Sequence, residues 1–339
     1  MKNKLFLLLA LSLSVLTSSR GSANQFGYTP GALLTYFETS YFLSKSNFDP
    51  YGNYLPLTSG NQFGEWRFNL AASYDITSRL GVYASGNFKR TDAITNTGVF
   101  GTAGLSETTD TNFGDFVLGG NFLLLSKGVM LVPDVAISIP AYSQPGTVNG
   151  PLIGDGAFVA TFKMFASERW SSFLISAYGG YSYRNYGFAG LIPYGLMGHY
   201  EPGSFFVEGG INGSISLNND QYTSFPLYRI NVTNLYDAGS YAYDAVNPTW
   251  LNGNLTLGFR MSPTLFVTGG IDQTIVGYNA PQFTRFLIGI GYSTEPTRSP
   301  SSEYDVDTES EDQPSPAHGK VRAPRKVHED RIMAPLRNY

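Results

Sequence analysis

The stretch FGEWRFNLAASYDITSRLGVYASGNFKR, residues 63–90, decides the fold. Two alternating runs flank a short polar turn. In the first run Trp66, Phe68, Leu70, Ala72, Tyr74 and Ile76 share one face, and Glu65, Arg67, Asn69, Ala71, Ser73 and Asp75 share the other. Successive side chains of a strand point to opposite sides, and this produces that division. In the second run Leu80, Val82, Ala84, Gly86 and Phe88 alternate with Gly81, Tyr83, Ser85, Asn87 and Lys89, and Thr77, Ser78 and Arg79 supply the turn. The period is two and not 3.6, so the unit is a β-hairpin with one apolar and one polar face.

A soluble β-sandwich alternates too, so length and aromatic placement must say which way the apolar face looks. Globular strands run about 5–6 residues, whereas a tilted strand crossing a bilayer needs about 9–11. Both arms reach the greater length. Trp66 and Tyr74 stand on the apolar face, separated by about 20 Å along the normal at about 3.3 Å per residue and a tilt near 40°. That approaches the apolar band of roughly 25 Å, rimmed by aromatic girdles, of an outer-membrane barrel. The apolar face is expected to meet lipid.

Composition agrees. Of 339 residues only 14% are charged while 15% are aromatic, and 38 are glycine; soluble domains carry about 25% charge. A net charge of -4 and the lack of a Lys/Arg cluster with interleaved aromatics in the body of the chain exclude a nucleic-acid partner. Zero cysteine excludes disulfides, thiolate metal sites and cysteine nucleophiles.

Lys2 and Lys4, then an apolar run over residues 5–16, then small residues ending at Ala23, have the layout of a secretory signal peptide, expected to occupy residues 1–23. The barrel is expected over residues 24–292. Strands are predicted near 32–45, 65–76, 80–90, 115–125, 129–139, 156–166, 172–184, 191–200, 205–217, 250–261, 265–276 and 282–292, about twelve in all. The predicted connections alternate in length. Segments 77–79, 126–128, 167–169, 201–204 and 262–264 are tight turns; 46–64, 91–114, 141–155, 185–190, 218–249 and 277–281 are the other set, longer except for the last. Such alternation, with an even count, describes an all-β, transmembrane, up-and-down antiparallel β-barrel with short periplasmic turns and longer outer loops. Pro133 and Pro193 lie inside predicted strands, where proline removes a ladder donor, and a bulge is expected at Pro133.

The last strand, FTRFLIGIGY, puts Phe286, Ile288, Ile290 and Tyr292 on the lipid side and Arg285, Gly289 and Gly291 inside. It resembles the aromatic-ended closing strand read by the barrel-assembly machinery, which implies that machinery as a partner. Here the chain runs on. Residues 293–339 hold six prolines, an acidic stretch and then a basic one, with little to bury, and are expected to be a disordered periplasmic tail. A solvated extension and docking to the cell wall or a periplasmic partner both remain open for it.

Three histidines, His199, His318 and His328, starve most enzyme readings. His199 alone lies in the barrel, at the periplasmic end, and no zinc, phosphate-loop or nucleophile-elbow motif is present. No catalytic residue, metal or cofactor is expected. The strand glycines are read as relief of crowding. The informative polar set is the row of inward charges Glu38, Glu65, Arg67, Asp75, Lys89, Asp115, Asp134, Lys163, Arg184, Glu208, Arg260, Asp272 and Arg285. Charges in a dry interior are costly unless paired. They therefore either bridge one another in a plugged lumen or line a hydrated channel, and twelve strands permit both. Balanced signs argue against strong ion selectivity. The loop 218–249 carries Tyr222, Phe225, Tyr228, Tyr236, Tyr241 and Tyr243 and is a candidate for recognition of an outside partner. Its segment TSFPLYRINV can equally be a continuation of the ninth strand.

The lead-in Tyr28-Thr-Pro-Gly, the segment DVAISIPAY at 134–142 and the run of hairpins resemble bacterial outer-membrane channel families, loosely the transporter family linked to meta-pathway degradation of phenol. The resemblance implies passive diffusion of small solutes across the outer membrane of a Gram-negative bacterium. A plugged structural or adhesive barrel is the alternative.

Overall fold

The computed structural model describes residues 28–294 except 59, 97–104, 127, 143–150 and 244. The expected signal peptide and the tail beyond Thr294, with His318 and His328, lie outside the described residues.

The strands are β1 (Leu33–Phe48), β2 (Tyr54–Pro56), β3 (Gln62–Asp75), β4 (Leu80–Asn96), β5 (Leu105–Phe122), β6 (Met130–Pro140), β7 (Val159–Trp170), β8 (Phe173–Arg184), β9 (Leu191–Tyr200), β10 (Phe205–Ser216), β11 (Thr249–Arg260), β12 (Leu265–Tyr278) and β13 (Ala280–Ser293). One helix, α1 (Pro226–Tyr236), lies between β10 and β11. Apart from β2, a short arm folded onto the end of β1, each strand pairs antiparallel with its sequence neighbours, and β13 returns to β1. The result is a closed 12-strand barrel. The closing seam runs from Leu34 opposite Ser293 to Phe48 opposite Ala280. Closure pairs the backbone of every edge, the condition for strands to stand in hydrocarbon.

The hairpin of β3 and β4 shows how the pattern becomes the wall. Asp75 pairs with Gly81, and the turn is held by Thr77, whose Oγ1 accepts from the N–H groups of Arg79 and Leu80. Trp66, Phe68, Leu70 and Tyr74 are exposed outside, and Glu65, Arg67, Asn69 and Asp75 are buried inside. The same split runs around the barrel: Phe286, Ile288, Ile290 and Tyr292 look outward on β13 while Arg285 is buried. An outer surface of this kind is suited to lipid and not to water.

Several expectations need correction. Much of the segment 91–114 is strand, because β4 and β5 continue as a paired ribbon from Thr91 opposite Asp110 to Asn96 opposite Leu105. Thr-rich, β-branched sequence favours that extension. The turn expected at 167–169 lies inside β7, which runs to Trp170; Ser171 and Ser172 make the turn, with Ser171 at φ 52° and the Trp170 and Phe173 rings stacked at 6.3 Å. β5 ends at Phe122, three residues early. A single residue, Asn279 at φ 45°, separates β12 from β13, because asparagine tolerates the left-handed region. The segment TSFPLYRINV does not extend a strand; Pro226 begins α1.

The prolines sit at interruptions. From the pair Asn121–Asp134 to the isolated bridge Leu125–Leu131, the chain running on from the end of β5 takes four steps against three on β6, so the extra residue lies on the segment opposite Pro133. Around Pro193 the β8–β9 ladder skips from Gly179–Tyr194 to Ser182–Leu191, so no β8 acceptor is wasted on a missing N–H.

Candidate functional site

The inner wall and the loop that enters it form the site. At the end bearing the longer connections, Phe42, Phe63, Trp250 and Phe283 turn inward from four strands and form a buried aromatic layer. Phe42 and Phe283 lie 4.6 Å apart between centroids, and Trp250 meets Phe283 edge-on at 6.2 Å. Val232, Ala238, Ala242 and Tyr243, from the loop between β10 and β11, pack into this layer together with Leu152. The loop is therefore folded into the barrel mouth.

Specific polar contacts hold it there. Asn47 Nδ2 donates to Gly239 O at 2.7 Å, and Asn47 Oδ1 accepts from Tyr241 N at 2.8 Å. Asn61 Nδ2 donates to Ala238 O, and Asp237 accepts from Leu152 N. Arg229 of α1 is buried, with its guanidinium 4.2 Å from the Phe188 ring and 4.5 Å from that of Tyr222. Deepest is Tyr243: its hydroxyl donates to Glu65 and accepts from Lys89 Nζ at 2.9 Å. Lys89 also donates to Ile153 O at 2.7 Å and stands 3.7 Å from Glu65.

The thirteen charges expected on the inner faces are placed as follows. Glu65 takes Arg67 Nε at 2.9 Å, and Arg285 donates to Asp272 at 2.7 Å. Asp134 accepts from the Tyr83 hydroxyl, and Lys163 stands over the Tyr178 ring at 5.1 Å. Asp115 accepts from Tyr142, Arg184 donates to Asp155 at 3.0 Å, Glu38 accepts from Tyr36, and Asp75 accepts from Thr29 N. All of these and Lys89 are buried; Glu208 and Arg260, at the short-turn end, are partly exposed. There Arg260 pairs with Glu201, and His199 lies between Glu201 at 3.3 Å and Glu208 at 3.7 Å, stacked on Phe206.

Of the six aromatic residues expected to face an outside partner, Phe225 and Tyr228 are exposed on the loop. Tyr222 stacks on Tyr228, and Tyr236 packs against the buried cluster. Tyr243 is corrected: it points into the barrel, because Glu65 and Lys89 there give a buried phenol both a hydrogen-bond acceptor and a donor. Sequence reading missed the aromatic layer and Arg229. The one available signal was three large aromatics, Phe42, Trp250 and Phe283, at inward positions of predicted strands; Phe63 fell in a predicted connection.

No family model and no curated protein matches the chain. Among solved structures, an outer membrane channel from Pseudomonas putida F1 superposes with a TM-score of 0.54 at 14% identity, over 80% of this chain and 99% of that one. The translocator domain of the autotransporter NalP from Neisseria meningitidis gives 0.42 at 10% identity, over 82% and 94%. The Pseudomonas putida toluene transporter TodX gives 0.38 at 8%, over 84% and 94%. The last two are too distant in shape to bear on the argument; the first shares the fold, the transmembrane barrel of an outer-membrane channel.

Proposed function

We propose that the protein is an outer-membrane channel of a Gram-negative bacterium, through which small solutes diffuse passively along a mixed-charge inner wall. In the conformation described, the loop between β10 and β11 closes it. The short turns face the periplasm, residues 1–23 direct export, and residues 293–339 extend into the periplasm. The observation that carries this reading is the inner wall: thirteen charges, seven acidic and six basic, on the inside of a closed barrel with an apolar outside. Well-packed hydrophobic residues fill a purely structural interior at lower cost, since each buried ion loses several kcal/mol of hydration that pairing must offset. The solved outer-membrane channel of like fold supports the same reading. Near balance of sign implies weak ion selectivity.

The inward loop also favours a second reading, a plugged structural or adhesive barrel. Planar-bilayer conductance separates the two. The wild type is expected to open in brief discrete steps, and Tyr243→Ala, which removes the phenol between Glu65 and Lys89, is expected to raise the open fraction several-fold. Silence from both proteins, with heat-resistant folding retained, would leave the plugged barrel.

A further inference from the structure

Three neighbouring strands repeat one short pattern at inward positions. β10 supplies Asn212 and Ser214, β11 supplies Asn252 and Asn254, and β12 supplies Asp272 and Thr274. Register joins them into one patch: Asn212 opposes Asn252, Asn252 opposes Thr274, and Asn254 opposes Asp272. Asn252 is 0% exposed and neither end of its carboxamide has a hydrogen-bond partner; the same holds for Ser214 Oγ, Asn254 Nδ2 and Thr274 Oγ1.

Elsewhere the inner wall pairs some of its small hydroxyls, Thr161 with Ser182 at 2.9 Å and Ser167 with Ser176 at 2.8 Å, while the unpaired hydroxyls of Ser73 and Ser138 stand apart on β3 and β6. Each unpaired buried polar group costs about 1–3 kcal/mol. A patch that leaves four groups unpaired side by side is poorly explained by stability, and buried polar groups generally find a partner.

We propose that this patch is a binding subsite for a neutral polyhydroxyl solute of the size of a single sugar ring, a proposal that rests on the channel reading. A carboxamide offers donors and an acceptor together, and so matches a hydroxyl, which is both at once. Asp272 is neutralised by Arg285 at 2.7 Å, so the wall presents no net charge to attract an ion. An apolar ring would leave the carboxamide as unpaired as before. Trp250, the preceding inward residue of β11, supplies an indole beside the patch for the C–H face of a sugar ring.

The indole also reports on the site. Trp66 and Trp170 are exposed on the outer surface, so Trp66→Phe with Trp170→Phe leaves Trp250 as the only tryptophan of the three in the chain. Full-length protein with these changes, in detergent, is titrated with methyl α-D-glucoside, with cyclohexanol as the ring carrying one hydroxyl. The same titration is run with Tyr243→Ala added to release the loop. The expected result is a saturable fluorescence change with the glucoside and none with cyclohexanol. Asn252→Leu should lower the glucoside affinity about tenfold, the scale of one or two lost hydrogen bonds. Leucine fills similar volume and removes an unpaired amide, so the barrel should fold, as checked by heat-modifiable migration. No saturable response with either loop state, an equal response to cyclohexanol, or unchanged affinity in Asn252→Leu would overturn the proposal. Saturable binding in a protein that never conducts would keep the subsite and remove the channel. Conduction without binding would do the reverse.

Discussion

Glu201 opens the turn between β9 and β10, where the chain leaves the membrane. Burial pushes its carboxyl up, but hydrogen bonds from His199 and Arg260 outweigh burial and hold it at about 2, below its ordinary 4.5. A carboxyl depressed by folding adds stability that is complete above its unfolded pKa and is lost as pH falls through its folded one. The window therefore runs from about 4.5 down to about 2. Across it, the urea midpoint of the folded barrel should fall with pH, and Glu201→Gln should flatten that fall; equal slopes would show that the turn contributes nothing. The inward charges were legible residue by residue because period-two alternation assigns each to a face. Their partners were not: Tyr243 meets Glu65 across 178 positions of chain, and no local pattern encodes that distance.

Within elements, the glycines form ledges for rings. On the inner wall Phe206 lies over Gly258, Tyr83 over Gly119, Tyr178 over Gly195 and Tyr36 over Gly289, so the rings lie against the wall; a Cβ at any of these glycines would overlap the ring. Gly258→Ala should therefore cost about 1–3 kcal/mol, the usual range for overpacking. Adding Phe206→Ala should relieve most of that cost, because the two residues share the same space. Urea unfolding in detergent measures the cycle, and simple additivity would refute the ledge. Crowding relief was the sequence reading of these glycines, while their pairing with particular rings depends on register. Strands were legible because their long alternating runs each satisfy one wall. The helix α1 was not: PLYRINVTNLY carries β-branched residues, has no side-chain cap, and is held by the burial of Arg229, Val232 and Thr233 and not by propensity. The ribbon of β4 and β5 beyond Arg90 was missed for a related reason, since apart from Ala93 and Ile94 its paired residues from 91–96 and 106–110 are polar and carry little hydrophobic alternation.

For the whole molecule, the governing balance is between an apolar belt and the medium around it. On β3 the outward residues Trp66, Phe68, Leu70 and Tyr74 are all exposed, and Leu70, at 61%, stands midway between Trp66 and Tyr74. If Trp66 and Tyr74 mark the two interfaces, Leu70 lies at the bilayer midplane, where an arginine costs about 2–4 kcal/mol, against about 0–1 near an interface. Leu70→Arg should therefore lower the stability of protein folded into lipid vesicles by that larger amount, and Tyr74→Arg by the smaller. In a soluble sandwich both positions would face either water or a second sheet, and depth would not rank them. Equal costs at the two positions, or folding of Leu70→Arg as well as wild type in vesicles, would mean that the apolar face does not meet hydrocarbon. The assignment of the charged face to the lumen would fail with it, because the two faces alternate along the same strands.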